Sequence, residues 1–179
     1  MSKRLLLICF FILFSLTGHS QNSGALRFFP AGTQAMLNIS YAHDTLEKHK
    51  LDIFMLPGTG KHPVLVWLHS GGWRAGNKQG DMHYMPNTLK ALVKNGYAIV
   101  DINYRFSTEA IFPAQIIDCN QASGYIYDNA GRYHLDRRRI AVIGFSAGGH
   151  LAALVGLSNN NFIPDFFLHI KSQISASGS

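Results

Sequence analysis

Hydrophobic positions change their rhythm along the chain. Residues 35–41 alternate, with Ala35, Leu37, Ile39 and Tyr41 on one face, and residues 50–56 repeat the habit with Leu51, Ile53 and Met55. The polar segment from His43 to His49 between them suits an antiparallel pair. Beyond it the strands read differently. Val64–Leu68, Tyr97–Val100 and Ile140–Ile143 are unbroken apolar runs, as expected of strands covered on both faces. Between these runs Met85, Leu89, Leu92 and Val93 fall on one face of a helix, which stops at Lys94-Asn95-Gly96 with a cation and a glycine able to turn left-handed. A second helix is predicted over 114–129, opened by Pro113. A third covers Ala147–Leu157, with Ala147, Leu151, Leu154 and Val155 on one side, and Ile170–Ala176 reads as one more strand. Strand–helix–strand alternation predicts an α/β fold: a mostly parallel sheet with helices on both faces and two leading antiparallel strands, in a single domain without internal repeats.

The first twenty residues stand apart. Lys3 and Arg4 precede an apolar stretch, Leu5–Leu16, and Gly18-His19-Ser20 closes it with a small residue at each recognition position. At about 12 residues the stretch is short of the ~20 that a bilayer span needs. It predicts a secretory signal peptide cut before Gln21, hence a secreted or periplasmic protein without a stable membrane span, whose domain covers 21–179. Cleavage lowers the formal charge from +6 to about +4. Arg137-Arg138-Arg139 is the one basic cluster, and it reads as a solvated turn before a strand, so nucleic acid is excluded as a partner. Cys9 leaves with the signal, and Cys119, on the second helix near Ile116, reads as small apolar packing. No disulfide is then available, and stability must come from the core.

Two short motifs carry no chemistry. Pro57-Gly-Thr-Gly-Lys61 resembles a phosphate loop, but it lacks the spacing and precedes a strand rather than a helix. Asn38-Ile-Ser40 fits a glycosylation sequon inside a predicted strand. The histidines at 43, 49, 62, 83 and 134 fall in predicted loops without metal-ligand spacing, so neither a metal nor a cofactor is expected.

Gly144-Phe-Ser-Ala-Gly148 is different, because it follows a buried strand and opens a helix. A serine there occupies a sharp, strained turn in which the residues two before and two after it crowd each other, and glycines at both places relieve the clash. The new helix aims its positive end at Ser146, and the amide of Ala147 is placed to bind a developing oxyanion. Further donors are expected from His69-Ser-Gly-Gly-Trp73, at the C-terminal end of the Val64–Leu68 strand and so on the same sheet edge. Gly71 and Gly72 can present their N–H groups without a Cβ in the way. Trp73 reads as an anchor of that loop rather than a pocket wall.

The ordered series His69-Ser-Gly-Gly-Trp73, Asp101-Ile-Asn-Tyr-Arg105, Phe112-Pro-Ala114, Asp118 and Arg139–Ala153 resembles the α/β-hydrolase superfamily. Within it the chain is most similar to the hormone-sensitive-lipase-like and feruloyl-esterase-like (BD-FAE type) carboxylesterases, over about residues 35–176. The resemblance implies that Ser146 is the nucleophile, that Gly71, Gly72 and Ala147 supply the oxyanion hole, and that His69 orients the loop without being the catalytic base. It gives Tyr104, Arg105 and Asp118 mainly structural roles. Ser70 departs from the glycine usual in the family and is expected to tilt the loop.

A serine hydroxyl needs a histidine to take its proton and a carboxylate to hold that histidine, and in this fold both follow the serine along the chain. After Ser146 come only His150, Asp165 and His169. His150 sits on the helix that the elbow opens, and Asp165 and His169 precede the last predicted strand, on the wrong edge. The sequence therefore reads as the N-terminal portion of a hydrolase domain with an incomplete C-terminal part, short of roughly 80–120 residues. The expected function is a carboxylesterase that cleaves a small ester or an acylated carbohydrate through an acyl-enzyme on Ser146, with acid and base beyond residue 179. A catalytically incomplete binding module and an amidase or peptidase on the same elbow are the alternatives.

Overall fold

The computed structural model describes residues 24–157. The signal segment, Asp165, His169 and the strand expected over 170–176 lie outside the described residues. Five strands form one sheet: β1 (Gln34–Ser40), β2 (Lys50–Met55), β3 (His62–Leu68), β4 (Ala98–Ile102) and β5 (Leu135–Gly144), in the order β1-β2-β4-β3-β5. β1–β2 and β2–β4 are antiparallel, while β3–β4 and β3–β5 are parallel. The α/β class and the leading antiparallel pair are as expected from the apolar rhythm.

Both faces are covered. On one, Leu51, Ile53, Val64, Val66, Leu68, Val100 and Ile102 pack with Ile116, Cys119, Ala122 and Ile126 of α2 (Ala114–Asp128) and Leu151 and Val155 of α3 (Ala147–Leu157). On the other, Phe54, Trp67 and Ile99 meet Leu89 and Val93 of α1 (Pro86–Lys94), together with Ala25 and Met82 from two short 3-10 turns and Phe29 just after the first of them. Pro86 starts α1 where its missing N–H costs nothing. Gly96 ends the helix at φ +86 while the amides of Gly96 and Tyr97 fold back onto the carbonyls of Val93 and Leu92. Cys119 is a buried free thiol within the core, as its apolar setting predicted. Among the described residues no helix is long and apolar enough to cross a membrane.

Two expectations change. Strict alternation put Ala35, Leu37, Ile39 and Tyr41 on one face, but the β1–β2 register shifts between Met36 and Ile39, where Asn38 adopts φ +56. The extra residue of this bulge reverses the parity of the strand. Ala35 and Leu37 accordingly join the α1 side, and Ile39 and Tyr41 join the α2 side. Arg137–Arg139, expected in a turn, are part of β5, which begins at Leu135 opposite His62. Leu135 is buried and pulls the strand start upstream, and the arginines stay exposed, Arg139 bonding Asp136 at 2.7 Å.

Candidate active site

The parallel register decides where the predicted residues meet. Leu68 of β3 is paired with Gly144 of β5 and with Ile102 of β4, so the chain leaves all three strands at the same edge from adjacent positions. The His69–Trp73 loop and the Ser146 elbow are therefore neighbours, and the Asn103–Tyr104–Arg105 segment stands on the other side of the loop.

At the elbow Ser146 is exposed and holds φ +50, outside the helix that starts at the next residue. A non-glycine residue in this region is strained and is retained where surrounding structure over-determines it. Here the determinants are visible. The Gly148 amide bonds the Phe145 carbonyl at 2.8 Å and the His150 amide bonds the Ser146 carbonyl at 3.0 Å. A Cβ at Gly144 would run into the backbone of Gly148, as the crowding argument predicted, and a Cβ at Gly148 would collide with the carbonyl oxygens of Leu68 and His69. The glycine thus lets the first turn of α3 rest directly on the end of β3. Ala147 is the first residue of α3, and helix geometry leaves its N–H without an intrahelical acceptor.

In the facing loop Gly71, Gly72 and Trp73 take φ +112, +61 and +59 in succession. Arg74 and Ala75 both donate to the Gly71 carbonyl at 3.0 Å, and a Cβ on Gly71 would strike Ala75, whereas Gly72 is exposed with open space about it. The loop is fastened from below. The Tyr104 hydroxyl donates to the His69 carbonyl at 2.7 Å, and its ring stacks on the His69 imidazole at 4.2 Å. His69 Nδ1 lies 2.6 Å from the Ser70 carbonyl oxygen; since a carbonyl only accepts, Nδ1 carries the proton. Burial lowers the His69 pKa from its ordinary value, so the ring is a neutral strut inside the loop rather than a base. Its position suits the orienting role that the resemblance implied. Arg105 grips Asp118 through Nε and Nη2, the latter at 2.6 Å, which ties the segment after β4 to α2.

A cavity of about 240 Å³ opens beside the elbow, lined by Trp73, Ser107, Phe112, Gln115, His150 and Leu151 and almost wholly apolar at its surface. Trp73, read as a loop anchor, also forms a wall of this cavity: its ring meets His150 edge-on at 5.3 Å, while its carbonyl ties the loop down by accepting from the Ser107 amide. On the other flank of Ser146, Phe145 and Tyr84 are exposed aromatics with ring centroids 6.3 Å apart.

Sequence reasoning did not single out Asp81. Its carboxylate accepts from both the amide and, at 2.7 Å, the hydroxyl of Ser70. The one available signal was Ser70 itself, a hydroxyl in a glycine position that calls for an acceptor. Four of the seven described histidine rings are hydrogen-bonded elsewhere: His49 with Asp44, His62 with the Gly96 carbonyl, His69 with the Ser70 carbonyl and His83 with the Gly80 carbonyl. Among the described residues the elbow and the glycine loop come together, while no histidine is hydrogen-bonded to Ser146.

Comparison with known proteins agrees with this arrangement. The BD-FAE family model matches residues 51–176. LipM of Mycobacterium tuberculosis, named a probable carboxylic ester hydrolase, is 38% identical over 134 residues, which is 72% of this chain and 30% of LipM. Among solved structures, a truncated carbohydrate esterase from gut microbiota is 34% identical with a TM-score of 0.58, over 68% of this chain and 42% of that one. The bifunctional GH43-CE protein of Bacteroides eggerthii is 41% identical with a TM-score of 0.63, over 72% of this chain and 16% of that one. The chain thus spans less than half the length of each of these relatives.

Proposed function

Because the chain belongs to the BD-FAE family of α/β-hydrolase carboxylesterases, we propose that it carries the nucleophile and oxyanion hole of an exported serine esterase. Ser146 Oγ attacks the ester carbonyl as a histidine from outside residues 24–157 takes its proton, itself held by a carboxylate from outside that range. The carbonyl oxygen gains the electron pair and is met by the amides of Gly71, Gly72 and Ala147. Collapse of the tetrahedral species expels the alcohol, which leaves with the proton from the histidine, and water then hydrolyses the acyl-enzyme by the same sequence of transfers.

The observation that carries this reading is the exposed Ser146 at φ +50, on a strand end in register with the strand that feeds the glycine loop. The apolar cavity beside it supports a substrate with a short alkyl or aryl group on one side of the ester. The carbohydrate esterase among the similar structures supports an acylated sugar on the other. The basic n-region and apolar run of the first twenty residues support export.

The full-length protein is expected to hydrolyse p-nitrophenyl acetate and butyrate, and Ser146→Ala should lower kcat/KM by at least about 10³. Undiminished turnover in that variant ends the proposal.

A further inference from the structure

Ser70 occupies the place where the family resemblance leads one to expect glycine, immediately before the two residues whose amides are read as oxyanion donors. A serine side chain at the root of such a loop would be a perturbation unless something fixes it. The structure supplies a fixture. The Asp81 carboxylate receives two donors from the same residue, the Ser70 N–H on one oxygen and the Ser70 O–H on the other at 2.7 Å. Asp81 is only 6% exposed. It opens a 3-10 turn in which the Tyr84 amide bonds its carbonyl at 3.0 Å, so its backbone is held as well.

Two hydrogen bonds to one carboxylate constrain more than one can. The amide bond sets the plane of the His69–Ser70 peptide, and the hydroxyl bond sets the Ser70 rotamer. The opposite side of Ser70 is held by His69 Nδ1–H on its carbonyl, and the preceding carbonyl is held by Tyr104. Every backbone polar group from the His69 carbonyl to the Ser70 carbonyl is thus committed to a side chain. The chain direction at Gly71 is determined before its permissive backbone begins.

We propose that Asp81 is a positioning residue: by clamping Ser70 through both amide and hydroxyl it aims the Gly71 and Gly72 amides, and the Ser70–Asp81 pair replaces the glycine that this loop would otherwise use. The pair touches no substrate. It acts on the donors, so its effect belongs to the transition state. This inference rests on the esterase reading for its kinetic consequence but not for the clamp itself.

The test is made in the full-length protein with p-nitrophenyl acetate. Ser70→Ala, which removes only the hydroxyl, should lower kcat about tenfold with KM within about twofold, since a misaimed donor forfeits part of the 10²–10³ that one oxyanion donor is worth. Asp81→Asn should do the same or more, and the double variant should be no worse than Asp81→Asn alone. Inhibition by a trifluoromethyl ketone, which places an oxyanion in the site, should weaken by the same factor as kcat/KM falls. A merely structural role would lower the amount of folded protein and leave that inhibition constant per active site unchanged. Unchanged kcat in both single variants, or additive losses, overturns the clamp. If Ser146→Ala retains activity, the esterase reading fails separately. The clamp is then judged by amide hydrogen exchange at residue 70, which must quicken at least tenfold in Asp81→Asn; equal protection overturns it.

Discussion

The elbow around Ser146 and the loop after β3 face each other across one sheet edge, and both hold residues in left-handed backbone conformations, yet they are built by different means. The elbow is enforced by its own backbone. Gly144 and Gly148 touch, Gly148 rests on the carbonyls that end β3, and the first bonds of α3 fasten the turn within five residues. The glycine loop borrows its shape from elsewhere: Tyr104 lies 35 residues from the carbonyl it holds, and Asp81 lies 11 from Ser70. The serine turn is closed by bonds among its own residues and seated on the end of β3, whereas the glycine loop depends on side chains brought to it from other segments.

The sharpest way to break this comparison is to add one methyl group on each side. At Gly148 a Cβ meets backbone carbonyl oxygens that cannot swing away, so Gly148→Ala must lift α3 off β3. A cost of about 3 kcal/mol or more is expected, seen as a fall in Tm of roughly 10 °C together with loss of esterase activity. At Gly72 nothing lies within 4 Å of the added atom, and only the left-handed φ of +61 is penalised. Gly72→Ala should therefore cost about 1–2 kcal/mol. Equal losses at the two glycines would show that collision is not what shapes the elbow.

The same division explains what could be read from the sequence. The apolar runs of β3, β4 and β5 and the 3.6-residue faces of α1 and α3 are local patterns, and they gave the strand–helix order and the shared edge of Ser146 and His69–Trp73. The crowding of Gly144 against Gly148 was legible because both lie in one pentapeptide. What was missed depends on partners distant in sequence. The bulge at Asn38 is tied to side chains of two other segments, since its amide bonds Asp52 and its side-chain oxygen accepts from Lys78. The early start of β5 follows from Leu135 pairing with His62 across the sheet. Trp73 faces a cavity whose other walls come from Phe112, Gln115 and His150, and Asp81 has no spacing signature that links it to Ser70.

A subtler cut tests the borrowed side alone. Tyr104→Phe keeps the ring that stacks on His69 and removes only the hydroxyl that reaches the His69 carbonyl. Leaving that buried acceptor without its partner should cost about 1–3 kcal/mol, and kcat should fall while Ser146 remains in place. Denaturant unfolding measures the first effect and p-nitrophenyl acetate turnover the second. If stability falls but kcat does not, Tyr104 supports the core and not the aim of the loop.

The smallest effect separates the two regions by pH. The elbow, Gly144 to Gly149, contains no titratable side chain, whereas the loop side contains His69 and, beneath it on β4, Asp101. Burial lowers the His69 pKa, so the folded protein holds the ring neutral. The unfolded chain binds that proton first on acidification, and stability falls from about pH 6.5 downward as the pH approaches the lower folded value. Asp101 works in the opposite sense. It is fully buried, and burial first and the neighbouring Asp52 second raise its pKa well above that of an ordinary carboxyl. Its contribution is complete below the unfolded pKa of about 3.9 and is lost as pH rises through the folded value. Asp101→Asn removes this alkaline-side loss and leaves the acid-side loss to His69. Measured from about pH 4.5 to about pH 8, the Tm of Asp101→Asn relative to the wild type should therefore rise with pH until the folded pKa of Asp101 is passed, while the acid-side loss from His69 is common to both proteins. A difference in Tm that stays constant across that range would mean that Asp101 is ionised throughout. The loop side would then lack the Asp101 contribution and keep that of His69.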